Sequence, residues 1–133
     1  MKNTIEQIES VYWGKPEFDS HLVVTCHQLR KKNLDDFEIE DLRIMIGQNI
    51  ALPILIPIAI KVLKTNILAE GDYYEGDLLK NVLTSEKDFW DNHSDYRNEI
   101  ISLVEEKLED IQKMDTTDEI RVSIFEAFEA FKR

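Results

Sequence analysis

The chain has 133 residues, a net charge of −11, a single cysteine and an ordinary share of apolar residues, which suits one folded domain over residues 1–133 and argues against global disorder. The charge is uneven: residues 1–66 hold 8 Lys/Arg against 9 Asp/Glu, whereas residues 67–133 hold 8 against 18. Such a surface repels phosphate and attracts basic proteins, so direct binding to nucleic acid or to an anionic membrane is disfavoured.

Glycine and proline number only 4 and 3, which favours helices joined by short turns over a many-stranded sheet. Thr4 with Gln7 three residues on is a capping-box pattern, predicting a first helix from Ile5 to about Tyr12 that Gly14 and Pro16 stop. Trp13 beside that stop either anchors the helix to the body or belongs to a partner surface. Ser20 suits the N-cap of a second helix running to about Lys32. Leu22, Val23, Cys26 and Leu29 recur there at helical spacing, and Arg30, Lys31 and Lys32 complement the negative end of the dipole.

After a turn over Asn33–Phe37, a third helix is expected from Ile39 to Gly47, burying Leu42, Met45 and Ile46 and exposing Glu40 and Arg43. The apolar run Ile50–Ile60 holds 11 residues and two prolines, well short of the roughly 20 needed to cross a bilayer. It predicts a central helix from Leu52 or Pro53 to Thr65, buried all round, that starts late or kinks at Pro57. A glycine-assisted turn rich in carboxylates follows, Glu70-Gly71-Asp72-Tyr73-Tyr74-Glu75-Gly76-Asp77. Short helices are predicted over Asp77–Leu83 and after Ser85, the second carrying Phe89 and Trp90. Residues 95–114 read as the longest helix, with Glu105, Glu106, Glu109 and Asp110 off its apolar face. Thr116 with Glu119 reads as the capping box of a last helix whose Ile120, Ile124, Phe125, Phe128 and Phe131 face inward. The expected fold is all-α, about seven helices around the central one.

Asp41-Leu42-Arg43, then Ile46-Gly47-Gln48-Asn49, the proline-containing apolar helix, Leu68 to Leu79 and the pair Phe89-Trp90 follow one another in an order that resembles the immunity proteins of bacterial contact-dependent growth inhibition systems. The resemblance covers the middle third to half of the chain. It implies a small cytoplasmic inhibitor that binds the toxin domain delivered by a neighbouring cell and blocks its active site. Toxins of such systems are often nucleases with basic substrate sites, and an acidic inhibitor suits such a site.

The residues themselves offer little chemistry. Glu70, Asp72, Glu75 and Asp77 lack the alternating ligand order of a calcium loop, and three histidines without ligand spacing make no zinc site. Cys26 and His27 are adjacent on a helix, about 100° apart, so they do not face each other as a nucleophile and base. No phosphate-binding loop or hydrolase motif is present. The expectation is a non-enzymatic protein without metal or cofactor. One cysteine and an N-terminus lacking an apolar signal core agree with a reducing cytoplasm. Two other readings stay open: an acidic helical adaptor without a toxin partner, and a small carboxylate-dependent hydrolase. Toxin contacts are expected on the turn, at Glu70, Asp72, Tyr73 and Glu75, or on the long helix, at Glu105, Glu106, Glu109 and Asp110. Arg43 is expected to bridge Asp72 or Asp77.

Overall fold

The computed structural model describes residues 3–16 and 20–133, and the expected all-α architecture is found in them. In order come α1 (Ile5–Glu9), α2 (His21–Arg30), a 3-10 turn (Leu34–Asp36), α3 (Ile39–Gly47), α4 (Leu52–Thr65), α5 (Asp77–Leu83), α6 (Lys87–Asp91), α7 (Ser94–Glu106), α8 (Leu108–Gln112) and α9 (Asp118–Lys132). The β-structure among the described residues is one isolated bridge, Glu70 to Glu75, at the neck of the carboxylate-rich turn.

Side-chain caps set several boundaries. The Gln7 N–H donates to Thr4 Oγ1 and the Thr4 N–H donates back to Gln7 Oε1, both at 3.2 Å, the reciprocal pair that the spacing predicts. The helix nevertheless ends at Ser10, which adopts a left-handed φ of 57°, earlier than Tyr12. Ser20 caps α2 by accepting from the Val23 N–H at 3.2 Å. At the start of α9 the cap is Thr117, one residue later than expected. It accepts from the Ile120 N–H at 3.2 Å, and because an isoleucine stands three residues on, no reciprocal bond forms. Ser85 does not cap α6. Its hydroxyl donates to the Val82 carbonyl and accepts from Trp90 Nε1 at 2.8 Å, so it holds the indole in place.

The central helix α4 runs unbroken through Pro57. The carbonyl left without its usual donor is that of Pro53, an exposed residue, so water can satisfy it. Its buried stripe is Leu52, Leu55, Ile56, Ala59, Ile60 and Leu63, the i, i+3, i+4, i+7 pattern of a one-faced helix. Ile54, Pro57 and Ile58 on the other side are only half-buried, so the expectation of burial all round, Ile58 included, is corrected to a stripe. Residues 94–112 also depart from the expected single helix. The chain breaks at Lys107, whose N–H is shared between the Leu103 and Val104 carbonyls, leaving α9 as the longest helix. No glycine or proline marks that break in the sequence.

α3 packs most extensively against α5, and α5 in turn against α9. Asn81 on α5 ties the first pair by donating to the Arg43 carbonyl at 2.9 Å. These two contacts grip the turn that joins α4 to α5.

Candidate functional site

The turn over residues 70–76 is built from two carboxylates reaching it from different helices. Asp77, first residue of α5 and only 2 % exposed, accepts from the Gly71 N–H on Oδ1 at 2.7 Å. Its Oδ2 accepts from the N–H groups of Tyr73 and Tyr74 at 3.0 and 3.4 Å. Glu40 of α3 accepts from the Asp72 N–H at 2.8 Å. Four consecutive backbone donors thus end on protein oxygens, which holds the turn in one shape.

Arg43 completes the arrangement one turn along α3 from Glu40. Its Nε and Nη2 each donate to a different Glu40 oxygen at 2.5 Å, and Nε lies 3.8 Å from Asp77 Oδ2. The expected bridge to Asp77 is therefore present as a longer ion pair, while the principal partner is Glu40. The expectation that Glu40 and Arg43 are exposed is corrected: their side chains are 16 % and 13 % exposed, because the turn folds over them. The guanidinium beside Glu40, aided by the Asp72 N–H, holds that carboxyl below its usual range against an opposing effect of burial. Glu40 in turn raises the Arg43 guanidinium. Two glycines make this close packing possible. A Cβ on Gly71 would fall 2.5 Å from Glu40 Oε1, and Gly76 has a φ of +89° with Ile124 Cδ1 3.0 Å from where its Cβ would stand.

Tyr73 projects from the turn, 72 % exposed, with Arg43 Cζ 4.3 Å from its ring centroid. Glu70, Asp72 and Glu75 are exposed around it, as are Glu105 and Glu106 at the end of α7 and Glu109 and Asp110 on α8. The turn and the helices meet at a cleft of about 410 Å³ lined by Glu75 and Asp110, with Lys64, Lys107, Lys113 and Asp115 also in its wall. Glu106 lines a neighbouring groove that shares Lys64 and Lys107. Glu105 and Glu109 line neither. The cleft therefore mixes both signs, three lysines with three carboxylates. Among the described residues, no group of three or more His, Cys, Asp or Glu is arranged to hold a metal ion.

Away from this face, Cys26 is buried and its thiol pushed up by that burial. Arg30, which the sequence suggests as a dipole partner, is instead buried at 2 % exposure. It donates to Glu9 Oε1 and to the Val11 carbonyl, both at 2.6 Å, and lies 4.4 Å from the Trp13 ring. Trp13 also meets His27 edge-on yet keeps 41 % exposure, so it both anchors the N-terminal segment and presents surface. The roles of Glu40 at the turn and of Arg30 at the N-terminal segment escaped sequence reasoning. The Glu40/Arg43 spacing of three was a usable signal for one of them. No local signal joins Arg30 to Glu9.

No helix of the described residues is long and apolar enough to cross a membrane. A family model described as CDI immunity proteins matches residues 7–100, more than half of the chain. No curated protein and no solved structure matches it.

Proposed function

The chain belongs to the family of CDI immunity proteins, and from that premise we propose that it acts in the cytoplasm by covering the active site of its cognate toxin with the acidic face just described. That face comprises Glu70, Asp72, Tyr73 and Glu75 on the turn and Glu105, Glu106, Glu109 and Asp110 on α7 and α8. The toxin domain is basic, as a nuclease's substrate site is, and the immunity protein contributes no catalysis, metal or cofactor of its own. The observation that supports the reading is that Glu75 of the turn and Asp110 of α8 line a single cleft, which brings one member of each candidate group together. Residues 67–133 also hold 18 acidic against 8 basic residues.

Rim charges of this kind act mainly on the rate of encounter and are screened by salt over roughly 8–10 Å. The test compares the unaltered chain with a variant carrying Glu75→Gln, Glu105→Gln, Glu106→Gln, Glu109→Gln and Asp110→Asn. Association with the toxin fragment encoded beside this gene is measured at low and high salt. The variant is expected to associate more slowly at low salt and to show a flatter salt dependence. Equal association rates at both salts would remove the acidic face as the recognition device. Protection of growing cells from the same toxin fragment, and inhibition of its nuclease activity, test the active-site part of the proposal.

A further inference from the structure

Resting on that toxin-binding reading, we propose that Arg43 is a positioning residue that presents Tyr73 as the aromatic anchor of the interface. An exposed aromatic side chain on a turn ordinarily has to be ordered when a partner arrives, and that ordering subtracts from affinity. Here the ordering is already done. Four successive N–H groups, from Gly71 to Tyr74, are tied to Asp77 and Glu40. Arg43, itself held by both oxygens of Glu40, lies against the Tyr73 ring at 4.3 Å. The remaining ring surface faces water, leaving the side chain 72 % exposed. A tyrosine held in place with its polar tip outward is the residue type on which binding energy concentrates.

The partner chemistry follows from what surrounds the ring. Glu70, Asp72 and Glu75 are exposed on the same turn. A lysine or arginine of the toxin can lay its aliphatic stem on the open part of the ring and bring its head to one of these carboxylates. The anchor therefore fits a basic pocket rather than an apolar one.

Positioning and charge predict opposite signs for one substitution. Arg43→Met removes a positive charge from an acidic face, so electrostatics alone would make a basic toxin bind faster and more tightly. Loss of the clamp frees the ring and the turn, so binding should weaken through faster dissociation.

The experiment measures association and dissociation separately for the toxin fragment encoded beside this gene, with melting temperatures recorded for every variant. Tyr73→Ser, at an exposed position that leaves the fold intact, is expected to dissociate roughly tenfold faster or more, and Tyr73→Phe to stay near the unaltered chain. Arg43→Met is expected to dissociate faster without slower association, and Arg43→Lys to recover part of the loss. The double variant Arg43→Met/Tyr73→Ser should be little worse than Tyr73→Ser alone, because Arg43 acts through the ring. An unaltered chain that fails to bind the fragment overturns the toxin reading and this inference with it. Binding by the unaltered chain with Tyr73→Ser unchanged, or Arg43→Met binding more tightly, overturns the inference alone.

Discussion

Two arginines, Arg30 and Arg43, do the same kind of work in two parts of the molecule, and they do it to different completeness. Each pairs with a glutamate and lies against a partly exposed aromatic ring, Trp13 at 4.4 Å and Tyr73 at 4.3 Å. At the N-terminal segment the pairing reaches across 21 residues to a glutamate about one-third exposed, and Arg30 Nε has no hydrogen-bond partner. At the turn the glutamate stands one helical turn away, both of its oxygens are used, and a second carboxylate secures the backbone. A buried charge gains stability only when its hydrogen-bonding capacity is filled. The comparison teaches that the turn is the more completely tied region, while the N-terminal segment is held by an arginine whose donors are not all used, together with the buried Ile5 and the Trp13–His27 contact.

Both latches rest on the same core, so the largest effect should come from damaging it. Leu55→Ala, at a fully buried position of α4, is expected to cost roughly 2–5 kcal/mol. The unfolding midpoint in denaturant checks this, and both regions should lose amide protection together. Next in size is Arg30→Met, expected to cost roughly 2–4 kcal/mol. It removes a buried cation and its hydrogen bond to Val11 while leaving Glu9 free to reach water. Amide exchange should then rise in residues 5–13 and stay low at the turn. Uniform loss of protection across the molecule would break the comparison.

Arg43→Leu should have the converse pattern at a smaller global cost, roughly 1–2 kcal/mol. Protection at residues 71–74 should fall well before the melting temperature moves much, with the N-terminal segment unchanged. The smallest effect concerns acid. Because the folded pKa of Glu40 is lowered by Arg43 and by the Asp72 N–H, its contribution is fully present above the ordinary glutamate value near 4.5. It is lost as pH falls through the lower folded value. Exchange at the Asp72 amide, compared between the unaltered chain and Glu40→Gln, should converge below that lower value and differ above it. A difference that grows as pH falls would reverse the assignment.

The sequence made most of the architecture legible, and the physical reason is range. Caps at Thr4 and Ser20, the bounds of α3 and α4 and the inward set Ile124, Phe128 and Phe131 depend on spacing within a few residues. The break at Lys107 was invisible because neither glycine nor proline accompanies it and the apolar period runs straight through. Among candidate site residues, the exposure of Glu70, Asp72, Tyr73 and Glu75 could be anticipated from turn composition. That Glu40 would fold under the turn could not, because the Asp72 N–H it receives lies 32 residues away in the chain. Ile58 shows the same limit from the other side: its apolar character is evident, but only packing decides which face of α4 is covered.

The seat of Gly76 against Ile124 also bears on when the packing of the turn is completed during synthesis. The turn cannot close against its floor until α9 has left the ribosome, and translation proceeds at roughly 5–20 residues per second. The segment from the turn to Ile124 therefore emerges over several seconds during which α3 and α5 lack their third layer. A nascent chain at that stage already holds Glu40 and Asp77, which tie the backbone of the turn, but not the Ile124 side chain against which Gly76 seats. The packing of the turn is thus completed by α9 (Asp118–Lys132), which lies beyond the family-matching residues 7–100.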